Sequence, residues 1–292
     1  MIFSVSVASI AFMLASNGSE LPGIPFSVAA ILGSALAIFI AFRNNNAYNR
    51  WWEARTIWGG IINSSRIFSR LIITFTDSHK QPTPETAQRS ERFKQQLIYL
   101  NIAWAHCLRM HLRLEQNWPA VLPYIPEAHH NNFLQAQNKP NHLHLLSGKM
   151  IYEAMANGTL GGFDSFQMEG QLAMLDQYQG GCERIKNTPL LRQYDYFTRV
   201  FLYAFMLLLP LALTPDFTKM NTLYLLIPVA TLISFVFSII SKVGEVNEDP
   251  FENRITDVPL TALCNTIERD LKEMLGENII PDKLQPENGF LF

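Results

Sequence analysis

Three side chains set four residues apart, Ser34, Ile38 and Phe42, stand near the end of an uncharged run, PFSVAAILGSALAIFIAF, that begins at Pro25. Four-residue spacing puts them near one face of a helix along its last apolar turns. Such a face can pack on a neighbouring helix. It can also point, from several subunits at once, toward a common axis, where a ring of apolar side chains controls ions by wetting and dewetting. Spacing alone leaves both uses open. Directly after Phe42 come Arg43, then Asn44, Asn45 and Asn46, and soon the pair Trp51 and Trp52. A membrane anchor needs only to end, so a polar exit this crowded points to function. Arg43 could attract anions and Glu53 could offset it, or each could be held in an ion pair between helices. The three asparagines could solvate an ion of either sign. Trp51 and Trp52 are close enough to that exit to touch lipid headgroups, whereas Trp58 is expected to pack between helices.

Other chemistry is sparse. The chain has no GxSxG, no glycine-rich phosphate loop and no HExxH, so no enzyme is expected. His106 and His111 are five apart and fall on different helix faces, while His129, His130, His142 and His144 sit in expected loops. Cys107, Cys182 and Cys264 are far apart and outside any CxxC pair, which reads as buried thiols rather than a disulfide framework or a zinc site. No cofactor or metal is expected.

The elements that must position these residues follow from hydropathy. Across 292 residues, 48% are hydrophobic and only 16% charged, a mixture that should divide between lipid and water, and a net charge of −2 gives no reason to expect nucleic acid. Four segments could cross a bilayer: Met1 to about Ser16, Phe26 to Phe42, Val200 to Pro215, and Met220 to Ser241. The first lacks the basic lead of a signal peptide and is followed at once by a second apolar run, so a membrane hairpin is expected there. Arg43, Arg50, Arg55, Lys186, Arg192, Arg199 and Lys242 flank the segments on one side, while the turns NGSELPG and TPDFTKMN hold one Lys between them. The long middle region and the C-terminus are therefore expected in the cytoplasm. That middle region is helical in pattern, with breaks at DSHKQPTPE, QNWPAVLPYIPEAHHNN and QAQNKPNH. No ionisable residue lies inside a segment, which speaks against a secondary transporter. A membrane-anchored scaffold or a secondary transporter stays the alternative.

FRNNNAYNRWWEAR at 42–55, GGCERIKNTPL at 180–190, EDPF at 248–251 and DVPLTALCNTIERDL at 257–271 together resemble the bestrophin family, most closely its bacterial branch. The resemblance implies an all-α membrane protein with four transmembrane helices and a large cytosolic helical domain. Its boundaries fall at 1–42 (transmembrane helices 1 and 2), 43–196 (cytosolic), 197–241 (transmembrane helices 3 and 4) and 242–292 (C-terminal loop and helix). It implies a homopentamer in a bacterial inner membrane, both termini cytoplasmic, passing small monovalent ions. The second helix would line a hydrophobic neck with Ser34, Ile38 and Phe42 inward. Ser34 departs from the family's usual apolar residue, and a ring of hydroxyls there implies a neck easier to hydrate. Arg43, Asn44, Asn45 and Asn46 would line the vestibule, and a cytosolic aperture would fall near Phe166. Animal members bind calcium after the Pro-Phe dipeptide. Here DPFENRITD keeps Asp249, Glu252 and Asp257 but sets Arg254 among them, which opposes a hard dication. Animal members conduct chloride and other anions and bacterial members include cation conductors, so the resemblance leaves the sign open.

Overall fold

A computed structural model describes residues 2–19, 24–79 and 83–291. As expected, the chain is helical: among the described residues there is no strand, only an isolated bridge between Glu287 and Phe290. The α-helices are α1 (Ile2–Ser16), α2 (Phe26–Phe75), α3 (Pro84–Leu112), α4 (His130–Gln135), α5 (Lys139–Ala156), α6 (Gly162–Asn187), α7 (Arg192–Lys219), α8 (Leu226–Asn247) and α9 (Leu260–Met274). They group into two compact units, one of residues 1–50 and 189–248 and the other of 51–188 and 249–292.

The first unit holds α1, the first half of α2, α7 and α8. Its core is apolar and interlocked, with Ala8, Leu36, Ile40, Phe205, Leu209 and Ala230 at the centre. Apolar windows long enough to cross a membrane fall in Phe26–Phe75, in Gly162–Lys219 and in Leu223–Asn247. Helix α1 is apolar but has 15 residues, a rise of about 22 Å, less than the hydrocarbon thickness of a bilayer. Helices α7 and α8 form the tight hairpin that their spacing predicts. Asn221 takes a left-handed φ of 55°, and the Thr222 N–H donates to the Phe217 carbonyl, which closes α7 and delays α8 until Leu226.

The second unit holds the rest of α2, α3 to α6 and α9 around a larger core that includes Trp58, Phe68, Trp104, Phe133 and Ile267. Two Gly-Gly pairs let its helices approach. A Cβ at Gly60 would lie 2.5 Å from the Tyr178 ring and one at Gly181 would lie 2.9 Å from Ile57, so α2 and α6 each present a glycine where the other offers bulk. The helix breaks fall at the polar, proline-bearing stretches, but of the histidines expected in loops His130 opens α4 and His142 and His144 lie in α5, where His144 is buried and bonded to Asp176. Helix α2 ends at Phe75 and α3 opens at Pro84 behind a Thr83 cap, while WPAVLPY takes up 3₁₀ turns. Amphipathic α9 buries Leu260, Cys264, Ile267 and Leu271, and Arg66 on α2 meets Asp270 at 2.6 Å.

Candidate ion pathway

Helix α2 runs unbroken from Phe26 to Phe75, so the apolar run and its polar exit are one rigid element, as the absence of a helix breaker at the junction predicts. Around the first unit its two faces differ sharply. Ala29, Leu36, Ile40, Arg43 and Ala47 are buried, whereas Ser34, Ile38, Phe42, Asn45 and Asn46 are exposed. Ile38 is 56% and Phe42 59% accessible in the single chain. Ile38 and Phe42 stand among several large apolar side chains that α2 leaves open, Phe26, Val28 and Ile31 included, and such a surface needs a further cover, either another subunit, lipid or a narrow water path. The Ser34 hydroxyl donates to the Ala30 carbonyl at 2.9 Å, so it turns lone pairs rather than its proton outward. Ser34 also borders an apolar crevice of about 330 Å³ walled by Phe26, Phe205, Leu209 and Phe237.

Arg43 turns the other way. Only 5% exposed, its guanidinium lies 2.9 Å from Asp195 of α7 and 3.6 Å from Glu248 just past α8. Asn44 donates to the Ile240 carbonyl at 3.0 Å, and α8 approaches so closely there that a Cβ on Gly244 would fall 2.1 Å from Asn44 Oδ1. Of the four residues expected to line a vestibule, then, Asn45 and Asn46 share the open face with Phe42, while Arg43 and Asn44 lock α2 to α7 and α8. No local sequence signal marks Asp195 or Gly244, and Glu248 is marked only as the first residue of EDPF, because their role exists only where three distant segments meet.

In the second unit Glu53 is ion-paired with Arg184 and Lys186 with Glu252, and the Trp51 indole donates to the Thr256 carbonyl at 2.9 Å. Trp58 is fully buried and Trp52 exposed. Phe166 lies near the start of α6 and is 73% exposed, as is its neighbour Phe163 at 70%. That end of α6 is held by Asp164, which accepts from the Gly161 N–H at 3.2 Å and from Ser78 at 3.1 Å.

The polar groups of the second unit are tied to one another. Burial would raise the Glu268 carboxyl, but hydrogen bonds from His106, Lys272 and Tyr124 outweigh it and bring its pKa down to about 2. Burial pushes the Cys264 thiol up to about 12 and the Cys107 and Cys182 thiols higher, so these free cysteines are inert hydrophobes at neutral pH. Asp257, 6% exposed, is held above the usual carboxylate range by burial, and accepts from the Arg254 backbone N–H at 3.0 Å. Among the described residues no group of three His, Cys, Asp or Glu side chains could hold a metal ion.

Comparison with known proteins gives the family. A family model described as bacterial/fungal bestrophin protein matches residues 1–273. The voltage-dependent anion channel-forming protein YneE of Salmonella typhi is 32% identical over 284 residues, covering 97% of this chain and 88% of that protein. Its counterpart from Escherichia coli K12 is 33% identical over 270 residues, 92% of this chain and 83% of that one. The crystal structure of a bacterial bestrophin homologue from Klebsiella pneumoniae superimposes with a TM-score of 0.82 at 28% identity, covering 95% of this chain and 98% of that one.

Proposed function

This chain belongs to the bacterial and fungal bestrophin family, and from that premise we propose that it forms an anion channel whose pathway runs along the open face of α2. The observation that carries the pathway is the exposed row of Ser34, Ile38 and Phe42 on a helix whose opposite face is buried. In this reading, copies of the chain gather around an axis, pentameric as the resemblance implies, and cover that row with one another. Ile38 and Phe42 then form the dry part of the neck. Ser34, with its lone pairs outward, forms the level that hydrates most readily.

Asn45 and Asn46 lie beyond the neck on the same face and serve to rehydrate the ion. Phe166 forms the second constriction, from the other unit. Residues 1–42 and 197–241 lie in a bacterial inner membrane, with the short α1 as a fourth membrane segment that needs the flanking residues to cross, and 43–196 and 242–292 lie in the cytoplasm with both termini. Arg43 supports this pathway as a clamp on the helix that lines it. Reconstitution in planar bilayers under a potassium chloride gradient tests the reading: the reversal potential should move toward the chloride equilibrium potential. A value at the potassium potential would overturn anion selectivity, and silence across all lipid compositions would overturn the channel.

A further inference from the structure

Beside the Arg43 clamp lies a cleft of about 410 Å³ in the first unit. Arg43, Arg199 and Lys242 line it, with Glu245 as its one acid, and Phe3, Leu202 and Met206 form its apolar part. Each cation stands where its helix changes character. Arg43 follows the apolar run of α2, Arg199 precedes that of α7, and Lys242 ends that of α8. Three helices thus turn from apolar to charged at one level, which is the level of lipid headgroups. The guanidinium of Arg199 and the ammonium of Lys242 reach water, at 57% and 65% exposure, while their carboxylate partners Asp195 and Glu245 sit at 2.8 Å on the same helices. Ser238 donates to the Ser234 carbonyl at 2.8 Å, leaving its oxygen in the cleft.

We infer that this cleft binds an anionic phospholipid of the cytoplasmic leaflet, its phosphate between Arg199 and Lys242 and one acyl chain along Phe3, Leu202 and Met206. With Asp195 and Glu248 behind Arg43 and Glu245 beside Lys242 the charges balance, so what recommends an anion is that the Arg199 and Lys242 head groups are the solvent-exposed members of their pairs, and the apolar side of the cleft favours one with a hydrocarbon tail over free phosphate. The inference rests on the membrane placement proposed above. Since Arg43 lines the cleft and directly follows Phe42, the site lies one residue from the proposed neck.

Native mass spectrometry and thermal melting of the purified protein in a neutral detergent test it, with phosphatidylglycerol, phosphatidylcholine and inorganic phosphate as separate additions. Phosphatidylglycerol should be retained and raise the melting temperature, and the other two should not. The double substitution Arg199→Gln, Lys242→Gln should weaken phosphatidylglycerol retention roughly 30-fold, taking about 1 kcal/mol per basic residue near the surface. Lys242→Gln alone removes only an exposed group and should weaken it about fivefold. Glu245→Gln, which deletes the one acid, should strengthen it, a direction that misfolding cannot mimic. Equal retention of both lipids, stabilisation by inorganic phosphate alone, or no response to these substitutions would overturn the site. Bilayer currents recorded on the same preparation judge the channel separately, because a silent protein that still selects phosphatidylglycerol refutes only the pathway.

Discussion

Replacing Ile38 by Ala tests the neck most directly, because conduction should respond far more than stability. The substitution removes about three methylene-sized groups, worth about 0.8 kcal/mol each when kept from water, or about 2.4 kcal/mol per subunit. Ile38 is 56% exposed on the open face of α2, so roughly half of that, about 1.3 kcal/mol, bears on the hydration of the pathway and not on the fold of the subunit. That corresponds to about tenfold in the balance of wet over dry neck for each altered side chain, compounding around a ring. Single-channel recordings in planar bilayers should therefore show a larger conductance or an open fraction raised by an order of magnitude, with little change in melting temperature. Ile40 supplies the control. Two residues on, it is 2% exposed and packed in the core of the first unit, so Ile40→Ala should cost about 2–5 kcal/mol of stability without raising the current. An Ile38→Ala channel with the wild-type unitary current and open fraction would refute the placement of this face on the ion path.

Three further outcomes follow from the polar interior. Arg43→Gln leaves Asp195 and Glu248 without their shared cation and should lower stability by about 3 kcal/mol, and adding Asp195→Asn should restore part of it in a double-mutant cycle read by thermal melting. Glu268, with a folded pKa of about 2 against an ordinary 4.5, contributes stability that is complete above the unfolded value and is lost as pH falls from about 4.5 toward 2. The effect is about 3 kcal/mol, so melting curves over that window should be steeper in pH for the wild type than for Glu268→Gln. Cys107, Cys182 and Cys264 should react with a thiol reagent such as dithionitrobenzoate only after denaturant is added, because all three are buried and hold their protons.

Much of this architecture was readable from residue order. Apolar runs bounded by charge located α2, α7 and α8; proline-bearing polar stretches located the ends of α2 and α3 and the start of α5; and the four-residue spacing of Ser34, Ile38 and Phe42 predicted a shared face. These features are local, set by backbone geometry and by the cost of exposing apolar surface, so a linear chain states them directly. The family motifs were recognisable as strings, but what they do became visible only in three dimensions. FRNNNAYNRWWEAR supplies Arg43 to Glu248, and Glu53 to the Arg184 of GGCERIKNTPL, whose Lys186 reaches Glu252. The motifs are the two sides of ion pairs, and each reads alone as unexplained charge.

Tertiary packing decided what spacing left open. Arg43 and Asn45 are two residues apart and both polar, yet one is held by α7 and α8 and the other faces away, because a helix turns about 100° per residue and only the position of its neighbours says which azimuth is inside. The same holds for Gly244, whose missing Cβ matters only because Asn44 lies against it. Sequence by itself determined that this chain is helical, divides between lipid and water, and carries an apolar row at the end of its second apolar segment. Which of its charges are clamps, and which face of α2 is left open, depended on the folded positions of segments far apart in the chain, since burial and pairing are properties of the assembled neighbours and not of the residue.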